Sequence, residues 1–151
     1  MGKLISQNKK AYHNFEILEK LEVGLVLKGY EIKSIREGKV NLKESYARVD
    51  KHELWLMGCH ISPYLQSHTI EKIDPVRNRK CLLHKKQLKK WLGKVNEKGL
   101  TIIPLKLYYS DSQKVKCEMG LVRSKKLHDK RKQIKDKSIQ RDLQRATKRT
   151  R

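Results

Sequence analysis

Leu100-Thr101-Ile102-Ile103-Pro104-Leu105-Lys106-Leu107-Tyr108-Tyr109 and Lys114-Val115-Lys116-Cys117-Glu118-Met119-Gly120-Leu121-Val122 are two apolar-rich runs separated by the polar segment Ser110-Asp111-Ser112-Gln113. Runs rich in β-branched, aromatic and aliphatic residues on either side of a short polar turn read as a β-hairpin. Pro104 lacks a backbone donor, so its strand is expected to lie at an edge or to carry a bulge there. A second hairpin precedes this one. Ser45 to Val49 and Glu53 to Ile61 flank Asp50-Lys51-His52, and Pro63 ends the run.

Further upstream, apolar and charged residues roughly alternate from Phe15 to Val23, the signature of a strand with one face on a core. Gly24 and Gly29 suit a bend, and Tyr30 to Gly38 reads as one short helix ended by Gly38. Residues 7–14 read as a polar, basic lead-in. From Ser67 to Lys80 the chain is polar, so an exposed connection is expected, with Arg77, Arg79 and Lys80 supplying charge. Between the hairpins, Leu82, Leu83, Leu88, Trp91, Leu92 and Val95 recur at helical spacing, and Gly99 closes the pattern. This order contains no βαβ repeat. The fold class it implies is mainly β with short helices, a small antiparallel barrel of the OB type, although such a fold alone does not assign function.

Charge divides the chain. Of the 151 residues, 37 are Lys or Arg and 16 Asp or Glu, a formal net charge of +21. Residues 123–151 hold 13 Lys or Arg against Asp129, Asp136 and Asp142, with too few apolar side chains to offset the entropy of ordering themselves. The expected organisation is a barrel over 1–122 and a basic tail over 123–151, disordered when free and ordered on a polyanion. A basic balance in both parts points first to nucleic acid and only second to an anionic membrane. No apolar run approaches a membrane span and the N-terminus has no signal-like apolar core, while Met1-Gly2 with Ser6 matches only a loose acylation pattern.

Cys59, Cys81 and Cys117 lie more than twenty residues apart, which fits reduced cytosolic thiols. Cys59-His60 with Cys81-x-x-His84 would supply zinc-type ligands. Adjacent strand residues face opposite ways, however, so buried thiols are the better expectation, with no metal and no cofactor. A nuclease would need an acid, a base and a phosphate-charge stabiliser held together. His13 and His60 sit in separate segments without a paired acidic motif, so no enzyme is expected.

Five blocks then carry a resemblance: Asn8-Lys9-Lys10-Ala11-Tyr12-His13, Gly29 to Lys39, Asp74-Pro75-Val76-Arg77-Asn78-Arg79-Lys80, Gly99 to Leu105, and His128-Asp129-Lys130-Arg131. Together, and in this order, they resemble the SsrA-binding protein family, also called small protein B. The resemblance implies a cytoplasmic protein that binds the tRNA-like domain of transfer-messenger RNA (tmRNA); the net charge of +21 disfavours self-association, so a monomer is expected when free. The resemblance also implies delivery to stalled ribosomes for trans-translation, with elongation factor Tu joining through the alanyl-tmRNA complex.

By the same resemblance the tmRNA face includes Asn8, His13, Phe15, Glu22, Tyr46 and Leu82, helped by Lys125 and Lys126. Without it, Tyr46 and Leu82 read as hairpin and helix core residues and Glu22 as a solvated strand glutamate. The small ribosomal subunit and its RNA would meet His128, Asp129, Lys130 and Arg131 at the decoding centre. Ile134, Lys135, Ile139, Arg141, Leu143 and Arg145 would follow along the empty message channel. Ile134, Ile139, Leu143 and Ala146 fall near one narrow helical face with no Gly or Pro beyond Leu121, so this segment is expected to become helical when bound. The chain departs from the family pattern at Ser124, where glycine is usual, and at Cys81 and Cys117. A general RNA chaperone or ribosomal protein without tmRNA preference remains the competing expectation.

Overall fold

A computed structural model of the chain describes residues 2–63 and 73–125. Its elements run β1 (Leu4–Gln7), α1 (Lys9–Asn14), β2 (Phe15–Leu25), α2 (Gly29–Arg36), β3 (Val40–Asn41), β4 (Tyr46–Asp50), β5 (Glu53–Met57), β6 (His60–Ile61), β7 (Arg79–Leu82), α3 (Lys85–Lys98), β8 (Thr101–Tyr109) and β9 (Val115–Ser124). All strand pairings are antiparallel. Order β8-β4-β5-β7-β2-β9 returns to β8, so the sheet closes into a ring, and β1 adds along the free part of one β8 edge. Closure removes the unpaired edges that an open sheet must otherwise protect.

Both expected hairpins form. Asp50 pairs with Glu53 across Lys51 and His52, whose φ values of 49° and 63° are the left-handed pair that a tight two-residue turn requires. In the β8–β9 hairpin the register shifts between Pro104 and Lys106, the bulge that Pro104 demanded. Helix α2 ends just before Gly38 at φ 75°, and Gly99 caps α3 at φ 61° while donating to the Val95 carbonyl at 3.0 Å.

Inside the ring, Val23, Leu54, Leu56, Leu107, Met119 and Leu121 form the main core with the three cysteines, and α3 adds Leu88 and Trp91. Each fully buried aliphatic side chain contributes about 1.5–3 kcal/mol relative to exposure. A smaller core lies beneath α1, where Ala11 packs on Ile103, Leu105 and Val122 with Tyr12, Phe15 and Ile17 around them.

Three expectations are corrected. Residues 7–14, read as a polar lead-in, hold the last residue of β1 and all of α1, because Gln7 pairs with Lys106 of β8 and Ala11 has an apolar seat. The segment read as an exposed connection up to Lys80 ends in β7, whose Arg79 is fully buried. Leu82 belongs to that strand rather than to the helix, which starts at Lys85. Charge density had suggested solvent; Glu31 supplies the buried counter-charge instead.

Candidate nucleic-acid interface

Side chains alternate across a strand, so β2 sends one set into the ring and the other outward. The register shift after Ile17 places Ile17, Lys20, Glu22 and Gly24 on the outer face, opposite Val122, Gly120, Glu118 and Lys116 of β9. The same β9 residues meet Thr101, Ile103, Lys106 and Tyr108 of β8. A strip therefore runs over the outside of three strands from Phe15 to Gly24, about 30 Å of extended chain.

At the Phe15 end, α1 is fixed by Asn8. The Asn8 side-chain oxygen accepts from the Ala11 N–H at 3.2 Å, and its amide donates to the Pro104 and Leu42 carbonyls at 3.1 and 3.3 Å. These bonds make Asn8 a helix cap and a tie between α1 and the sheet. Beside it, Lys10, Asn14, Phe15, Glu44 and Tyr46 help line a groove of about 340 Å³. Tyr46 is 43% exposed there, not in the core. His13 is exposed in the last turn of α1. The Lys125 N–H donates to the Asn14 carbonyl at 3.0 Å, so the end of β9 leaves the sheet beside this groove.

Midway, two ammonium groups approach the Tyr12 ring, Lys20 Nζ and Lys106 Nζ each 5.9 Å from its centroid. Burial pushes the Tyr12 phenol above its usual range against the opposing pull of Lys20. Lys20 Nζ also lies 3.7 Å from Glu118 Oε1. Glu118 stands directly opposite Glu22, which accepts a hydrogen bond from the Tyr108 hydroxyl. Burial, reinforced by that bond to a carboxylate, pushes the Tyr108 phenol far above its usual value, so it stays a protonated donor.

At the far end Leu82 is 52% exposed beside Gly24, where an added Cβ would stand 3.4 Å from the Leu82 Cβ. The folded chain thus gathers Asn8, His13, Phe15, Tyr46 and the Lys125 backbone at one end, Glu22 in the middle and Leu82 at the other. Lys126 and the expected tail contacts from His128 to Arg145 lie outside the described residues. Sequence reading missed Tyr12, Lys20, Lys106, Tyr108 and Lys116. The alternation in β2 already put Lys20 and Glu22 on one face, but nothing in sequence brings β8 beside them.

This strip offers stacking rings, ammonium groups for phosphates and a carboxylate acceptor, the set that suits RNA with unpaired bases. Among the described residues no cluster of three His, Cys, Asp or Glu side chains is placed to hold a metal. Cys59 is buried and His60 exposed, and no helix among the described residues is long and apolar enough to cross a membrane.

Comparison with known proteins gives this surface a context. A SsrA-binding protein of Syntrophobacter fumaroxidans is 54% identical over 149 residues, covering 99% of this chain and 91% of that protein. Another from Thermosynechococcus vestitus is 50% identical over 146 residues, covering 97% and 95%. A solved chain described as "tmRNA-SmpB: a journey to the center of the bacterial ribosome" superposes with a TM-score of 0.68 at 44% identity, covering 91% of this chain and 96% of that one. The family model for SmpB protein matches residues 5–149, and with that span the chain belongs to the SmpB family.

Proposed function

We propose that this chain binds the tRNA-like domain of tmRNA and carries it to stalled ribosomes for trans-translation. The observation that carries this reading is kinship with SsrA-binding proteins over nearly the whole chain, tail included. The outer strip supplies a physical means. Phe15 and Tyr46 offer rings to unpaired bases, His13 and Lys125 with Lys126 reach phosphates, Glu22 accepts from a base or ribose, and Leu82 covers an apolar edge. Asn8 serves by holding α1 in place.

Residues 123–151 form the ribosomal arm of the same reading. His128 to Arg131 enter the decoding centre, and Ile134, Lys135, Ile139, Arg141, Leu143 and Arg145 follow the empty message channel as a helix formed on binding. The barrel works in the cytoplasm as a free monomer, acts by binding rather than catalysis, and meets elongation factor Tu only through alanyl-tmRNA.

Binding to the tRNA-like domain, ordinary tRNA and unstructured RNA across a salt series tests it. Phosphate contacts weaken steeply with salt, whereas base and ribose contacts do not. A preference for the tRNA-like domain that survives high salt is expected; equal and steeply salt-sensitive binding to all three would leave only a general RNA chaperone. Truncation after Arg131 separates the two arms: tmRNA binding should persist while peptide tagging is lost.

A further inference from the structure

Glu22 occupies a position that charge alone disfavours. Glu118 faces it across β2 and β9, and like charges directly opposite destabilise an antiparallel pair. Lys20 lies beside Glu118, not Glu22. What holds the Glu22 carboxylate comes from β8, beyond the intervening β9: the Tyr108 hydroxyl donates to Oε2. Among the described residues Tyr108 is its hydrogen-bond partner. The Tyr108 ring is itself fixed, only 3% exposed, so its hydroxyl is delivered to one place.

A glutamate on an open strand face samples several rotamers, and ordering such a side chain costs on the order of 1.5–2 kcal/mol. A bond to one oxygen of the carboxylate removes much of that freedom before any ligand arrives, and the other oxygen keeps its acceptor capacity. We propose that Tyr108 is a positioning residue for RNA recognition: it clamps Glu22 Oε2 so that Oε1 is presented, preorganised, to a neutral hydrogen-bond donor of the bound RNA. This deepens the tmRNA reading and rests on it. The clamp fixes one acceptor on a face that also carries Lys20, Lys106 and Lys116. The lysines draw phosphates without discrimination, and the fixed acceptor selects for a donor where a phosphate would be repelled.

Full-length wild type, Tyr108→Phe, Glu22→Gln and the double variant are compared for affinity to the tRNA-like domain and to unstructured RNA at high salt, with the melting temperature of each. Phenylalanine keeps the ring and removes only the donor. The expected result is a five- to tenfold loss of preference for the tRNA-like domain in Tyr108→Phe, in the range of one ordinary net hydrogen bond. Binding to unstructured RNA and the melting temperature should hold, and the double variant should bind no worse than Glu22→Gln. A purely structural Tyr108 would instead lower the melting temperature and weaken both RNAs together. Full preference in Tyr108→Phe while Glu22→Gln loses it, or losses that add in the double variant, would overturn the proposal. Unchanged preference in Glu22→Gln would remove the Glu22 contact itself, and no preference in wild type would remove the tmRNA reading.

Discussion

Glu31 of α2 and Arg79 of β7 form an ion pair with Oε2 and Nη2 2.6 Å apart, and each side chain is only 1% exposed. Arg79 Nε donates to the same oxygen at 2.8 Å, Nη1 reaches the Cys59 carbonyl, and Nη2 donates to the Pro75 carbonyl at 3.0 Å. The other Glu31 oxygen accepts from the Lys28 N–H at 2.8 Å and from Arg77. One carboxylate thus closes the first turn of α2 and ties it to the segment that leads into β7. Arg79→Met leaves Glu31 with the Lys28 N–H and one more exposed cation, Arg77, and Glu31→Gln leaves Arg79 without its counter-charge. Either is expected to cost about 3–5 kcal/mol, readable as a lowered denaturant midpoint.

Acid should attack the same place. Burial pushes the Glu31 carboxyl up, but the Lys28 N–H and the guanidinium groups of Arg77 and Arg79 outweigh it and hold it below the usual carboxylate range. A carboxyl depressed in the folded state contributes stability above its unfolded value of about 4.3, lost as pH falls through the folded value. Stability measured by denaturant titration should therefore decline as pH drops below about 4, and Glu31→Gln should flatten that decline.

Lys51 and His52 hold left-handed backbone angles that side chains with a Cβ adopt at a cost. Asn at 51 and Gly at 52 suit this turn better. The double replacement should raise stability by about 1 kcal/mol, seen as a higher melting temperature with unchanged RNA affinity.

The thiols should be inert. Burial pushes Cys59 up to about 11 and Cys81 up to about 12, and raises Cys117 as well. Thiolate is the reactive form, so a disulfide reagent at pH 8 should label none of the three until denaturant is added. Fast labelling of native protein would contradict the burial of these side chains.

Asn8→Ala removes a cap, the amide's tie to the Pro104 carbonyl of β8, and its bond to the Leu42 carbonyl, which Ser45 continues to satisfy. A loss of about 1–2 kcal/mol is expected, so reduced RNA affinity in this variant must be compared at matched folded fraction.

The hairpins, the bulge at Pro104 and the closing glycines of α2 and α3 were legible because each depends on local chemistry, a short turn or a residue that cannot continue its element. What escaped depends on distant partners. Arg79 reads as solvated until Glu31, 48 positions upstream, is folded against it. Leu82 fits the apolar spacing of α3 equally well as helix or strand, and pairing with Gly24 decides it. The resemblance named Glu22 as a contact, while Tyr108, its partner 86 residues later, carries no motif of its own.

The route by which the chain leaves the barrel has a mechanical meaning. β9 is paired with β2 from Phe15 to Gly24 on one side and with β8 from Thr101 to Tyr109 on the other. A pull on residues beyond Lys125, directed along β9, would load both ladders lengthwise, so many hydrogen bonds share the force instead of opening one at a time. Force entering at Lys125 along that line would have to shear both ladders together before any single strand pair could separate.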